Sequence, residues 1–152
     1  MLKVPLKITY GILAALDLAH HYGANPIQAK VIAHRQTIPA RFIEQILLAL
    51  KHAGIVESSR GAQGGYTLSR APGKVSLSDI VQAINGSQSL SHAQNGRSNG
   101  HSPTHIHRAV LLTTIWGKVK EAEEKVLSSI TLESLVEQCS QLEGQDGLMY
   151  HI

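Results

Sequence analysis

One cysteine, Cys139, is all that the 152 residues contain. A single thiol closes no disulfide within the chain and cannot build a multi-cysteine metal site from one copy of it. Long apolar runs are also missing, since none approaches the roughly 20 residues that cross a bilayer. The opening MLKVPLKITYG has no signal-peptide pattern. A soluble, cytoplasmic protein with no membrane partner is therefore the expectation. A phosphate loop is absent too. The glycine-bearing RGAQGGY, Arg60 to Tyr66, is followed by no Lys-Ser/Thr, and it joins strands instead of opening a helix. With no nucleophile placed beside a base either, the chain reads as a non-enzyme.

The hydrophobic share of 43% is enough for one ordinary core, with room for an appended arm. Net charge is +3 and is unevenly spread. Residues 1–70 hold eight Lys or Arg against Asp17, Glu44 and Glu57, a balance of +5, whereas residues 71–152 hold six against eight, a balance of −2. A basic front half favours a polyanionic partner, because lysine and arginine release counterions from a phosphate backbone. Ordinary solvated surface is the alternative that charge alone leaves open.

The stretch from Gln36 to Tyr66, QTIPARFIEQILLALKHAGIVESSRGAQGGY, is the most informative. Phe42, Ile43, Ile46, Leu47 and Leu50 recur at three- and four-residue spacings and predict an amphipathic helix from about Pro39. Arg41, Glu44, Gln45 and Lys51 are left on other faces. Gly54 stops this helix, residues 55–59 and 66–69 read as strands, and Gly61, Gly64 and Gly65 permit the turn between them. Arg60 stands at the hairpin tip. Before this stretch, residues 7–22 predict a helix with Ile8, Ile12, Ala15, Leu16 and Leu18 inward, and Asn25-Pro26 opens a second over residues 27–36. Two helices joined by the short Thr37-Ile38 turn are a helix-turn-helix, whose second helix enters the major groove of DNA.

Ser76 to Asp79 carries a capping-box pattern ahead of a short helix over residues 77–85. Residues 86–102, GSQSLSHAQNGRSNGHS, lack large apolar groups and predict a flexible loop. Ser102-Pro103 then opens a long helix toward Ser129 with Val110, Leu112, Ile115, Trp116, Val119, Val126 and Leu127 as its apolar residues. A second copy of the chain covering this helix gives a homodimer; packing back on the first helix is the other solution. Thr131 caps a final short helix to about Gln138, and residues 139–152 read as a frayed tail. The division expected is thus a winged helix-turn-helix domain at 1–85, a loop at 86–102, dimerisation and packing helices at 103–138, and a tail. The fold class is mainly α with a two-stranded wing.

With these pieces placed, the chain resembles the IscR-type winged-helix transcription regulators, a family that includes regulators of cysteine metabolism and of the nitric oxide response. The resemblance covers residues 1 to about 138. It is carried by YGILAALDLA (Tyr10 to Ala19), IPARFIEQILLALKHAGIV (Ile38 to Val56), RGAQGGYTL (Arg60 to Leu68) and WGKVKEAEEKVLSSITLESLV (Trp116 to Val136). It implies a homodimer on an imperfect palindrome of double-stranded DNA, acting as a repressor, with the wings in minor grooves. By the same resemblance Glu44 accepts a hydrogen bond from a cytosine amino group and Arg41 reads guanine or grips phosphate. Arg60 enters the minor groove, where a guanidinium suits the strong negative potential. Lys7, Tyr10 and Gln28 stand at backbone-contacting positions. Pro39, Ala40, Phe42, Gln45 and Gly61 complete the DNA-facing set. Glu44 as a solvated residue and Tyr10 as core packing are the competing roles.

Family members that sense through an iron-sulfur cluster place three cysteines in the loop and at the start of the long helix. Here Val110 falls where the last of them would stand and Thr113 where a histidine ligand would, so no such cluster is expected. Four of the nine histidines, His92, His101, His105 and His107, lie in this region. Imidazoles bind divalent zinc, copper or nickel, but His105 and His107 are two apart on a helix and point to different sides. They read as polar loop residues, with a metal-responsive regulator as the alternative. A regulatory partner protein, or an adaptor that keeps the fold without binding DNA, are the remaining possibilities.

Overall fold

The computed structural model describes residues 3–89 and 103–149. Six α-helices and one hairpin follow in the order α1 (Leu6–His20), α2 (Ala29–Gln36), α3 (Ala40–His52), β1 (Val56–Ser59), β2 (Gly65–Leu68), α4 (Leu77–Ser89), α5 (Pro103–Ser129) and α6 (Leu132–Met149), with a 3-10 turn at Pro72–Lys74 before α4. This is a mainly helical winged fold.

The helices meet around one core. Leu18 of α1, Ile32 of α2, Ile46, Leu47 and Leu50 of α3, Ile80 and Ile84 of α4, and Leu132 of α6 are all buried. Each apolar stripe follows helical spacing, so forming the helix and burying its stripe are one event. Between α2 and α3 the chain reverses at Thr37, whose φ of 54° is left-handed. Ile38 then buries its side chain in the core and anchors the turn.

The wing is an antiparallel pair with Val56 opposite Leu68 and Ser59 opposite Gly65. It does not hang free. Ile27 and Tyr66 exchange both backbone hydrogen bonds, at 3.0 and 2.8 Å, so the residues leading into α2 add a third, one-residue rung to the hairpin. Gly65 makes this possible: its φ is +152°, and a Cβ there would lie 2.5 Å from the carbonyl carbon of Ile27.

The capping box at α4 is present. Ser76 donates its amide to Asp79 Oδ2 at 2.9 Å, and the Asp79 amide donates to Ser76 Oγ at 3.2 Å. Backbone bonds from Leu77 N to Ile130 O and from Leu132 N to Val75 O, both 2.9 Å, stitch the start of α4 to the α5–α6 junction. With Leu132 in the shared core, the carboxy-terminal helices complete the front domain instead of trailing from it.

Two boundaries differ from the sequence expectation. The helix expected to stop near residue 85 runs to Ser89, which shortens the loop expected at 86–102; residues 90–102, with His92 and His101, lie outside the described residues. The short last helix, expected to end at Gln138, continues to Met149, so the segment expected as a frayed tail is helical through that residue. Gly144 and Gly147 each cost a helix only about 1 kcal/mol, too little to end one by themselves. Angles along α5 also separate Val110 from the other apolar residues expected to dimerise. At 100° per residue, Leu112, Ile115, Trp116, Val119 and Val126 fall within an arc of about 100°, whereas Val110 is turned about 180° from Val119. Packing of that stripe on α1 is not what occurs: Leu112, Ile115, Trp116 and Val126 are exposed and Val119 half-buried. Only Leu127 reaches back to the core. No helix among the described residues is long and apolar enough to cross a membrane.

Candidate nucleic-acid interface

The amino-terminal ends of α1, α2 and α3 lack side-chain caps, and none has an acidic residue in its first turn. Their N-caps are Pro5, Gln28 and Pro39. Uncapped amides carry the positive end of the helix dipole and bind phosphate well. Lys7, Lys30 and Arg41 sit in these same first turns and add formal charge to the partial charge.

Aromatic packing joins two of the three ends. The Tyr10 and Phe42 rings lie 5.6 Å apart at 44°, and the Arg41 guanidinium stands 4.8 Å over the Phe42 ring. Tyr10 is half-buried and packs at the core margin. Phe42 is likewise engaged with its neighbours, and its effect on a ligand would come through the placement of Arg41. A guanidinium stacked on a ring keeps its donors pointing outward in a fixed plane.

A second set of contacts joins α3 to the wing. Lys51 Nζ donates to Ser58 Oγ at 2.7 Å, and Ser69 Oγ donates to the Gly54 carbonyl at 2.6 Å. Glu44 stands near Tyr66. Burial raises the Tyr66 phenol above its ordinary value near 10, and the Glu44 carboxylate pushes it the same way. Tyr66 in turn is the residue bonded to Ile27, next to Gln28. Gln28 also faces Gln63 and Gly64 across an open cleft. Recognition helix, wing and α2 entrance are thereby one linked unit.

Of the residues expected at the interface, Ala40, Arg41, Glu44, Gln45, Gln28, Arg60 and Gly61 are exposed, and Lys7, Tyr10, Pro39 and Phe42 are half-buried. Arg41, Glu44 and Gln45 share one side of α3. Arg60 is exposed at the hairpin tip, followed by Gly61 with φ +108°. Sequence reasoning omitted Leu48, which is 52% exposed on the same side as Glu44 and Gln45. A helical projection would have found it.

The Rrf2 family model, described as an iron-dependent transcriptional regulator, matches residues 5–138. This chain belongs to the Rrf2 family of transcriptional regulators. It is 29% identical to CymR, an HTH-type transcriptional regulator of Bacillus subtilis, over 99% of this chain and 100% of that one. It is 31% identical to the protein rrf2 of Nitratidesulfovibrio vulgaris, over 91% and 90% of the two chains. Among solved structures, T. potens IscR superposes with a TM-score of 0.73 at 35% identity, covering 99% of this chain and 97% of that one. The structure of CymR, the global cysteine regulator of B. subtilis, gives 0.67 at 30% identity, with 91% and 98% covered.

Iron-dependence in the family description raises the question of a cluster. Iron-sulfur clusters are held mainly by thiolates. The one thiol here, Cys139, is half-buried on α6, at a distance in sequence from the start of α5 where the family's ligands stand. Among the described residues no group of three or more His, Cys, Asp or Glu is arranged around a metal-sized site. The donor set does not fit a cysteine-ligated cluster.

Proposed function

We propose that this Rrf2-family regulator binds an imperfect DNA palindrome as a homodimer, with α3 in the major groove and the wing tip in the minor groove. It represses by occupying its operator. The observation that carries this reading is the linked unit of α3, wing and α2 entrance. Helix α3 carries Arg41, Glu44 and Gln45 on one ridge, and the anchored hairpin carries Arg60 at its tip. Uncapped helix ends and Lys7 grip phosphates, and Tyr10 and Phe42 hold Arg41 in place. Glu44 accepts from a cytosine amino group, and Arg60 enters the narrow groove.

Dimerisation runs through the exposed arc of α5 formed by Leu112, Ile115, Trp116, Val119 and Val126. The protein acts in the cytoplasm, where bacterial DNA lies, without catalysing a reaction. Its signal does not pass through a cysteine-ligated cluster. In place of a cluster, a regulatory partner protein carries the signal. Binding to a duplex selected from a random pool tests the reading. Affinity should fall steeply with salt, and the double substitution Arg41→Ala/Arg60→Ala should abolish specific binding and make the salt slope shallower by about two. Equal binding to selected and scrambled duplexes would refute sequence specificity. Selection repeated with zinc or iron should return the same motif.

A further inference from the structure

Leu48 is an anomaly of α3. Every other apolar residue of that helix larger than alanine points into the core or its margin, yet Leu48 is 52% exposed. On a helical projection it lies about 160° from the fully buried Leu50, in the middle of the arc that holds Arg41, Glu44 and Gln45. These four stand at i, i+3, i+4 and i+7 and so form one ridge about two turns long. It is the ridge that a recognition helix presents to base edges. Solvent gives no reason for a leucine at its centre.

We infer that Leu48 is a specificity-determining residue that packs against the C5-methyl group of a thymine in each half-site. In the major groove that methyl is the one apolar feature of the base edges, and it is read by apolar contact. The neighbours suit this occupant better than a protein partner. Leu48 is a single apolar residue with charged or amide groups on either side, where a protein-docking surface needs a contiguous apolar patch of some hundreds of Å². Basic Arg41 and Arg60, on the same helix and on the wing attached to it, match a phosphate backbone. The inference rests on the placement of α3 in the major groove.

Uracil substitution tests it directly, because uracil differs from thymine only by that methyl. Each thymine of the selected duplex is replaced singly by uracil, and affinities are measured for the wild type and for Leu48→Ala. A surface substitution should leave folding intact, which circular dichroism and the melting temperature verify. One thymine position per half-site should weaken wild-type binding about fourfold when changed to uracil, the scale of one methyl-sized group losing its burial. Leu48→Ala should lose a similar factor on the thymine duplex and be insensitive to uracil at that position. If the wild type binds its selected duplex but no uracil position distinguishes it from Leu48→Ala, the Leu48 contact is overturned and the DNA reading stands. If no duplex is selected at all, both fall together.

Discussion

Arg35 Nη1 lies 3.5 Å from Oδ1 of Asp17, a residue only 3% exposed, and so ties α2 to α1 beneath the helix-turn-helix. His21 completes the arrangement. Its Nδ1 is 2.8 Å from the Asp17 carbonyl oxygen, and its Nε2 is 3.4 Å from Arg35 Nη1. Oδ2 of Asp17 is buried and has no hydrogen-bond partner, while Oδ1 has Arg35 Nη1 at 3.5 Å and His21 Nδ1 at 3.6 Å.

Removing the guanidinium takes from this buried carboxylate its permanently charged partner and leaves it with His21. Arg35→Ala should cost about 1–2 kcal/mol in urea unfolding, toward the low end for a broken buried pair because Arg35 keeps much of its own solvation. Asp17→Asn combined with Arg35→Ala should recover part of the loss, since an amide carries no charge to strand. A double variant no more stable than Arg35→Ala would show that the pairing of charge is not what matters there.

The wing anchor depends on a missing side chain. Gly65→Ala would set a methyl 2.5 Å from the Ile27 carbonyl carbon at a φ of +152°. The rung between Ile27 and Tyr66 must open or the hairpin must shift. A loss of about 1–3 kcal/mol is expected, a drop of several degrees in melting temperature for a chain of this length. Hydrogen exchange should localise the change, with the Ile27 and Tyr66 amides losing protection while those of α1 keep theirs. Specific DNA affinity should fall with the anchor, because Arg60 loses its fixed position.

Tyr66 predicts a pH dependence. Its phenol is raised first by burial and second by Glu44, so the folded state holds this proton more tightly than the unfolded chain does. The sign follows from linkage. The contribution is fully present below the unfolded value near 10 and is lost as pH climbs through the higher folded value. Denaturation midpoints should therefore decline above about pH 10 more steeply in the wild type than in Tyr66→Phe. Glu44→Gln should lower the phenol's titration midpoint, followed by its absorbance. An unchanged midpoint would mean that Glu44 does not act on Tyr66.

How much of this was legible in the sequence depended on the range of the contact involved. The helix-turn-helix was readable because Ile43, Ile46, Leu47 and Leu50 state their burial through local spacing, and the capping box at Ser76 and Asp79 is equally local. The α3–wing–α2 unit was not. The Glu44 charge reaches Tyr66, and Tyr66 bonds to Ile27, only after the chain has folded back on itself, and no periodicity encodes that. Angular position is legible as well: steps of 100° turn Val110 away from Val119 and set Leu48 among Arg41, Glu44 and Gln45. The length of α6 was a different matter: Gly144 and Gly147 weaken a helix without ending it, so composition there was a poor guide.

The angle on α5 supplies the most discriminating test of the dimer. Trp116 is 56% exposed near the middle of a helix about 40 Å long, and Ile115, Leu112 and Val119 surround it on one side. A large aromatic side chain beside a row of aliphatic ones is where binding energy concentrates. Trp116→Glu should convert the dimer to a folded monomer in sedimentation, with helical content kept and affinity for the full palindrome reduced by at least a hundredfold, since two half-sites can no longer be held together. Val110→Glu introduces the same charge six residues away, turned about 120° from Trp116 and outside the arc. It should leave both the dimer and the DNA affinity intact. If Val110→Glu dissociates the protein and Trp116→Glu does not, the interface lies on the other face of α5 and the arc assigned here is wrong.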